Sequence, residues 1–147
     1  MNAMNEITFK DGYESMDFER ATEMLTQAYW CRGIGIEEMK AGARNSALVV
    51  GAFDGTGRQI GYARAISDKV RFAYITDVYV DEGYRKRGIG QAMMRYMLGH
   101  PSLATVYQWL LITSDAHDVY RKVGFVTMTR PLDWLQIWKA RPGLGKD

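Results

Sequence analysis

Apolar positions along the chain follow two periods, and the change between them is sharpest just after residue 80. Phe72–Val80 is dense in aromatic and β-branched residues, which fit a pleated, half-buried surface, so it reads as a strand. Asp81, Glu82 and Gly83 end it. Ile89, Ala92, Met93, Tyr96 and Met97 then recur at the i, i+3, i+4 spacing of a helix. Gly99 stands where a helix C-terminal glycine belongs, with Pro101 just beyond it.

The same reading extends to the rest of the chain. Residues 7–13 read as a first strand. Ser15 or Asp17 can cap a helix whose apolar positions are Phe18, Ala21, Leu25 and Ala28. Residues 29–35 interrupt it, with Gly33 and Gly35 marking a loop. Ile36–Arg44 reads as a second helix with Glu37 and Glu38 in its first turn, where acids suit the dipole. Residues 47–54 and Gln59–Ser67 read as a hairpin around Gly55, Thr56 and Gly57. Residues 107–113 are apolar apart from Gln108, close to the pattern of a strand buried on both faces. Ser114 or Asp115 is placed to cap a last helix through Val123, stopped by Gly124. Residues 125–128 and 134–138 read as strands separated by Pro131, and the polar tail from Lys139 is expected to fray. This order predicts a mixed sheet with one right-handed parallel crossover around the long helix.

A chain of 147 residues is expected to form a single domain spanning residues 1–147. A hydrophobic content of 47% with 24% charged residues is ordinary for a globular protein. The net charge of +2 is too small to argue for nucleic-acid binding, and the basic residues are scattered outside Arg85 to Arg87. Cys31 is the only cysteine, which excludes an internal disulfide and argues against a cysteine-based metal site. The first ten residues have no apolar signal-peptide core, and the longest apolar run, residues 47–53, is too short to cross a bilayer. The expectation is a cytoplasmic protein with no membrane partner.

The chemistry concentrates between the central strand and the long helix, at Arg85-Lys86-Arg87-Gly88-Ile89-Gly90. Small residues there let a ligand approach the backbone closely. A helix start adds unpaired N–H groups and the positive end of the dipole, a combination suited to phosphate. It is not a P-loop, because no Gly-Lys-Ser/Thr closes it, and a dinucleotide fingerprint would need a glycine in place of Met93.

Arg85-x-x-Gly88-x-Gly90 resembles the Arg/Gln-x-x-Gly-x-Gly/Ala signature of the GNAT acyltransferases, and Asp77-Val78-Tyr79-Val80 resembles that family's central strand. Ala116-x-x-x-Tyr120 followed by Gly124-Phe125 is similar to its second signature. The resemblance runs loosely from Ile7 to Phe125. It implies an α/β fold with a mixed, mostly antiparallel sheet, a central parallel strand pair that splays apart, and flanking helices. It implies acetyl-CoA as cofactor, its pyrophosphate on the backbone of Arg87, Gly88, Ile89, Gly90 and Gln91, with Arg85 and Lys86 adding charge. It implies that the amides of Val78, Tyr79 and Val80 hold the pantetheine arm and face the thioester carbonyl, where a placed donor stabilises developing charge. Thr113 stands where the family usually has an asparagine near the pantetheine.

The resemblance also implies that Tyr120 is the general acid for the departing thiolate, although a tyrosine beside Ala116, Val119 and Val123 is also an ordinary core residue. Asp77 is an acid within a strand, where acids are depleted. By alternation it shares a face with Ala73, Ile75 and Tyr79. It is either a base for the incoming ammonium or the partner of Arg64 on the neighbouring strand. Tyr29 and Trp30 lie in the segment that lines the acceptor pocket in this family, and their rings suit an apolar or cationic acceptor. Asp115 and His117 read as a capping carboxylate and an exposed imidazole, and His100 as solvated.

The function expected is therefore direct acetyl transfer to a primary amine, on a small molecule or a peptide, with a homodimer as one expected assembly. Cys31 is distant from these motifs in sequence and is not cast as a nucleophile. The rival from another class is a non-catalytic acetyl-CoA-binding module that keeps the phosphate cradle and uses Tyr120 only for packing.

Overall fold

Antiparallel pairing carries the sheet through four strands, and one parallel step adds a fifth. The structure is a computed structural model and describes residues 6–142. The elements are β1 (Thr8–Asp11), α1 (Phe18–Leu25), α2 (Ile36–Arg44), β2 (Leu48–Phe53), β3 (Gln59–Ser67), β4 (Phe72–Val80), α3 (Ile89–Leu98), β5 (Gln108–Leu110) and α4 (His117–Arg121). The sheet order is β1-β2-β3-β4-β5, antiparallel up to β4 and parallel between β4 and β5.

Each face of the sheet carries its own core. Met24 and Leu25 of α1, Met39 and Ala43 of α2, and Val49, Phe53 and Tyr62 of the sheet form one. Met93, Met94 and Met97 of α3 pack on the other face against Val50, Ile60 and Ile75. Each fully buried side chain of this size contributes roughly 1.5–3 kcal/mol, so the two apolar stripes fix the helices against the sheet. Asp17 caps α1 by accepting from the Arg20 amide at 3.1 Å.

The C-terminal third departs from the sequence expectation. β5 spans only three residues and is half exposed, and Tyr107 and Ile112 lie in solvent. It is an edge strand, covered on one side only, so the double-sided burial expected of residues 107–113 does not occur. α4 begins later and ends earlier than expected, and neither Ser114 nor Asp115 caps it. The Thr113 hydroxyl accepts from the Ala116 amide instead, at 3.0 Å. Residues 125–128 and 134–138 form no ladder, because no strand lies beside them among the described residues. A 3-10 turn at Pro131–Asp133 separates them. β1 is also shorter than the expected 7–13, since Gly12 takes φ 97° and Tyr13 opens a 3-10 turn. The fraying expected of the tail falls partly on residues 143–147, outside the described residues.

Candidate active site

The parallel pair separates after three rungs. Phe72, Ala73 and Tyr74 pair with Gln108, Trp109 and Leu110, and the ladder stops there. β4 continues to Val80 with β3 on one side and, among the described residues, no strand on the other. The gap so formed leaves one edge of the Ile75 to Val80 backbone without a ladder partner, at the C-terminal end of the parallel strands, where open α/β sheets commonly bind ligands.

That edge leads into the glycine loop. Gly88 is the N-cap of α3 in the left-handed region at φ 77°, and Lys86 precedes it at φ 64°. The first helical bond runs from the Ala92 amide to Gly88 O at 3.0 Å. The amides of Ile89, Gly90 and Gln91 therefore have no acceptor within the helix and carry its positive dipole end. A Cβ on Gly90 would meet nothing nearer than Val80 Cγ2 at 3.9 Å, so this face of the backbone is open. Space, free amides and three basic residues together fit a pyrophosphate.

The loop is tied down from three other elements. Arg20, buried on α1, pairs with Asp81 and donates from Nε to Gln59 O at 3.0 Å. Burial opposes the ionisation of Asp81, but the Gly83 amide and the Arg20 guanidinium outweigh it and hold the carboxyl below its usual range. The Tyr84 hydroxyl donates to Asp54 Oδ2 at 2.9 Å, beneath the β2–β3 turn. Arg85 turns back on β4, donating from Nε to Val80 O at 3.0 Å with its guanidinium 5.0 Å over the Tyr79 ring. These ties set the cradle before any ligand arrives.

Asp77 sits at an irregularity in β4. Tyr62 pairs with Tyr79 and Arg64 with Thr76, so two steps of β3 face three of β4. Asp77 is the extra residue, at φ 56°. The extra residue breaks the expected alternation. Ile75 packs in the α3-side core and Tyr79 in the opposite one, so Asp77 shares a face with Tyr79 and not with Ile75. Its Oδ2 accepts from Arg64 Nε at 2.7 Å, which is the ion pair the sequence left open. Its Oδ1 accepts from the Cys31 thiol at 3.4 Å. Cys31, remote in sequence, is thus a neighbour of Asp77. Burial pushes its thiol up to about 12, with the Asp77 charge adding, so it stays protonated. Tyr62 lies under the same charges, fully buried, with no hydrogen-bond partner for its hydroxyl among the described residues and its phenol raised by burial.

Tyr120 stands on the β5 side, in a groove of about 310 Å³ that it shares with Thr113, His117 and Phe125. Its ring meets Phe125 edge-on at 6.0 Å. Burial pushes its phenol up to about 12, with the Asp115 carboxylate adding. Tyr29 and Trp30 occupy a 3-10 turn that ends at Cys31, their rings edge-to-face at 5.0 Å. The Tyr29 hydroxyl bonds that of Ser114, so the loop after α1 touches the segment leading into α4. Asp115 and His117 are exposed. His100 is not solvated as expected: its Nε2 lies 3.2 Å from Asp11 Oδ2, and its Nδ1 accepts from the Ser102 amide.

Sequence reasoning missed Arg20, Asp54, Asp81 and Tyr84 as supports of the loop. Only Arg20 left a trace, as a charged residue beside Phe18, Ala21 and Met24 on the buried stripe of α1.

The comparisons with known proteins fall on the same residues. The family described as Acetyltransferase (GNAT) domain matches residues 44–127, more than half of the chain. A Xanthomonas campestris pv. campestris protein described as belonging to that family is 31% identical, with 98% of this chain and 99% of that one superposed at TM-score 0.85. An uncharacterised N-acetyltransferase of Pyropia yezoensis is 25% identical over 83% of this chain and 74% of its own. A Clostridium acetobutylicum protein solved with acetyl-CoA shares the fold at TM-score 0.69 and 17% identity, over 90% of this chain and 96% of its own. A splayed β4–β5 pair running into a glycine cradle, within a matched stretch that includes both, makes this chain a member of the GNAT acetyltransferase family.

Proposed function

We propose that the protein is an acetyl-CoA-dependent N-acetyltransferase that moves an acetyl group directly to a primary amine carried by a small molecule or a peptide. One observation carries this: the ladder-free edge of β4 leads, through the loop of residues 81–88, to the open amides at the start of α3. Bound acetyl-CoA supplies the acyl group as a thioester. The amides of Ile89, Gly90 and Gln91 hold its pyrophosphate, with Arg85, Lys86 and Arg87 contributing positive field. The Val78 and Val80 amides, on the gap side of β4, hold the pantetheine arm and donate toward the thioester carbonyl as charge grows there, while Tyr79 pairs with Tyr62 of β3.

Tyr29 and Trp30 present aromatic faces to the acceptor. Both oxygens of Asp77 already accept hydrogen bonds, from Arg64 and Cys31. Its part is to attract and orient the ammonium form, whose proton passes to water. Tyr120, kept protonated by burial, donates to the sulfur as the carbon–sulfur bond breaks. Holding both reactants in one gap supplies much of the remaining rate.

Thermal unfolding with acetyl-CoA, CoA, NAD and ATP tests the first half. At a hundredfold excess over Kd, either CoA species should stabilise by about 2.7 kcal/mol. A larger effect from NAD, or none from CoA, ends the proposal. Thiol release across a panel of amines tests the second half. Cofactor binding with no release from any amine leaves a non-catalytic binding module.

A further inference from the structure

A cavity of about 520 Å³ lies at the other end of the sheet from the glycine loop. Val80 pairs with Gly61 and Gly61 with Ala52, so β4 ends beside the start of β3 and the end of β2. The cavity opens where β1 ends at Asp11 and β2 begins at Leu48. The end of α2 and the segment after α3 complete its wall, at Arg44 and His100. None of its lining residues belongs to the cradle, to the gap or to the Tyr120 groove.

Opposite charges line this cavity without joining each other. Arg44 is anchored by Tyr13: its Nη1 donates to the Tyr13 hydroxyl at 2.9 Å, and its guanidinium lies 5.6 Å over the ring. Asp11 is anchored from α3 and the segment after it: its Oδ2 accepts from the Tyr96 hydroxyl and lies 3.2 Å from His100 Nε2. Among the described residues Arg44 forms no ion pair with Asp11 or with Glu14, which lines the same cavity. Nor, among those residues, do the other nitrogens of Arg44, Oδ1 of Asp11 or the carboxylate of Glu14 find a hydrogen-bond partner. Ala43, Ala47 and Leu48 give the wall an apolar part. A Cβ on Gly12 would meet no atom within 4 Å, so the space beside it is open.

We propose that this cavity binds a free α-amino acid with an apolar side chain, at a site separate from that of acetyl transfer. The carboxylate of the amino acid takes the open nitrogens of Arg44, whose planar fork suits it. Its ammonium donates to Asp11 Oδ1 and to Glu14. Its side chain covers the apolar part of the wall. Both charges are needed on one ligand: an anion alone would meet two uncompensated carboxylates, and a cation alone would meet the guanidinium. The volume falls within the range of small-molecule sites, roughly 300–1,000 Å³.

Calorimetric titration of the full chain with leucine should give saturable binding. 4-Methylpentanoate and 3-methylbutylamine each keep one charge of leucine and should bind at least roughly tenfold more weakly. Arg44→Met, with an unchanged far-ultraviolet circular dichroism spectrum, should weaken leucine by a similar factor. Trp30→Ala alters the face proposed for the acceptor and should leave leucine binding as it was. If Arg44→Met unfolds, photo-leucine on the wild-type chain keeps the test open, since irradiation should label residues 11–14, 43–49 or 100–102. No saturable binding, equal binding of either single-charge analogue, normal binding by Arg44→Met, loss of binding in Trp30→Ala, or label on any other segment would each overturn the site.

Discussion

Arg64 and Asp77 face each other across β3 and β4 at the place where the ladder slips, Nε to Oδ2 at 2.7 Å, with 19% and 10% of their side chains exposed. Removing one charge from so buried a pair leaves the other uncompensated. We expect Asp77→Asn to cost about 3 kcal/mol, the low end for a broken buried pair, because asparagine keeps one oxygen for Arg64. Chemical denaturation measures this. If Asp77 also attracts the ammonium acceptor, KM for the amine rises while acetyl-CoA affinity holds. An unchanged KM at full cofactor occupancy makes the residue purely structural.

Gly88 and Gly90 should respond in opposite ways to the same change. Gly88 is left-handed at φ 77°, so Gly88→Ala should cost roughly 1–2 kcal/mol of stability. Gly90 has helical geometry and room for a methyl, so Gly90→Ala should leave stability equal or slightly higher. The signature admits alanine at this position, so Gly90→Ala should bind acetyl-CoA normally, whereas the branched side chain of Gly90→Val should weaken binding by filling the face open to the pyrophosphate. Calorimetric titration of these variants separates the effects, and normal binding by a folded Gly90→Val moves the cradle elsewhere.

Tyr120→Phe deletes one oxygen and keeps the edge-on contact with Phe125. We expect normal folding and cofactor affinity, with kcat lower by roughly 10²–10⁴-fold. The loss should shrink for acyl donors whose thiol leaves more readily, since such a group needs less protonation. A kcat within a few-fold of the wild type assigns the proton to water.

Cys31 makes the fold sensitive to alkali. Its thiol lies near 9.0 when unfolded and at about 12 when folded. The unfolded chain therefore loses a proton that the folded chain keeps, and the stability this contributes below pH about 9 falls as pH rises toward 12. The slope is about 1.4 kcal/mol per pH unit. Denaturation series at rising pH should show Cys31→Ser with a flatter alkaline slope than the wild type. Equal slopes would mean that the thiol titrates normally.

Legibility followed the range of the contacts. Ile36–Arg44, Gln59–Ser67 and Phe72–Val80 were readable to the residue because their patterns are local. Gly88 and Gly90 were readable because the spacing itself is the feature. The length and two-sided burial expected of β5, and the strands expected beyond Phe125, were misread because apolar, strand-like composition does not say whether a neighbour exists on each side. The supports of the cradle were invisible for a similar reason: Arg20 meets Asp81 across 61 residues and Tyr84 meets Asp54 across 30. The slip at Asp77 hid behind an alternation that looked unbroken, since an aspartate tolerates the left-handed region without a sequence mark.

The extra residue in β4 sets the two halves of that strand out of phase. Ile75 and Tyr79 are four positions apart yet enter opposite cores, whereas an uninterrupted strand returns to the same face at every even step. Deleting residue 77 would leave Tyr79 three positions from Ile75 and still on the opposite face, whereas straightening β4 at its full length would cancel the offset. Tyr79 would then turn toward α3, and the amides of Val78 and Val80 that had faced the gap would face β3. The left-handed step of the backbone at Asp77, more than the count of residues around it, decides which backbone groups a ligand in the gap can reach.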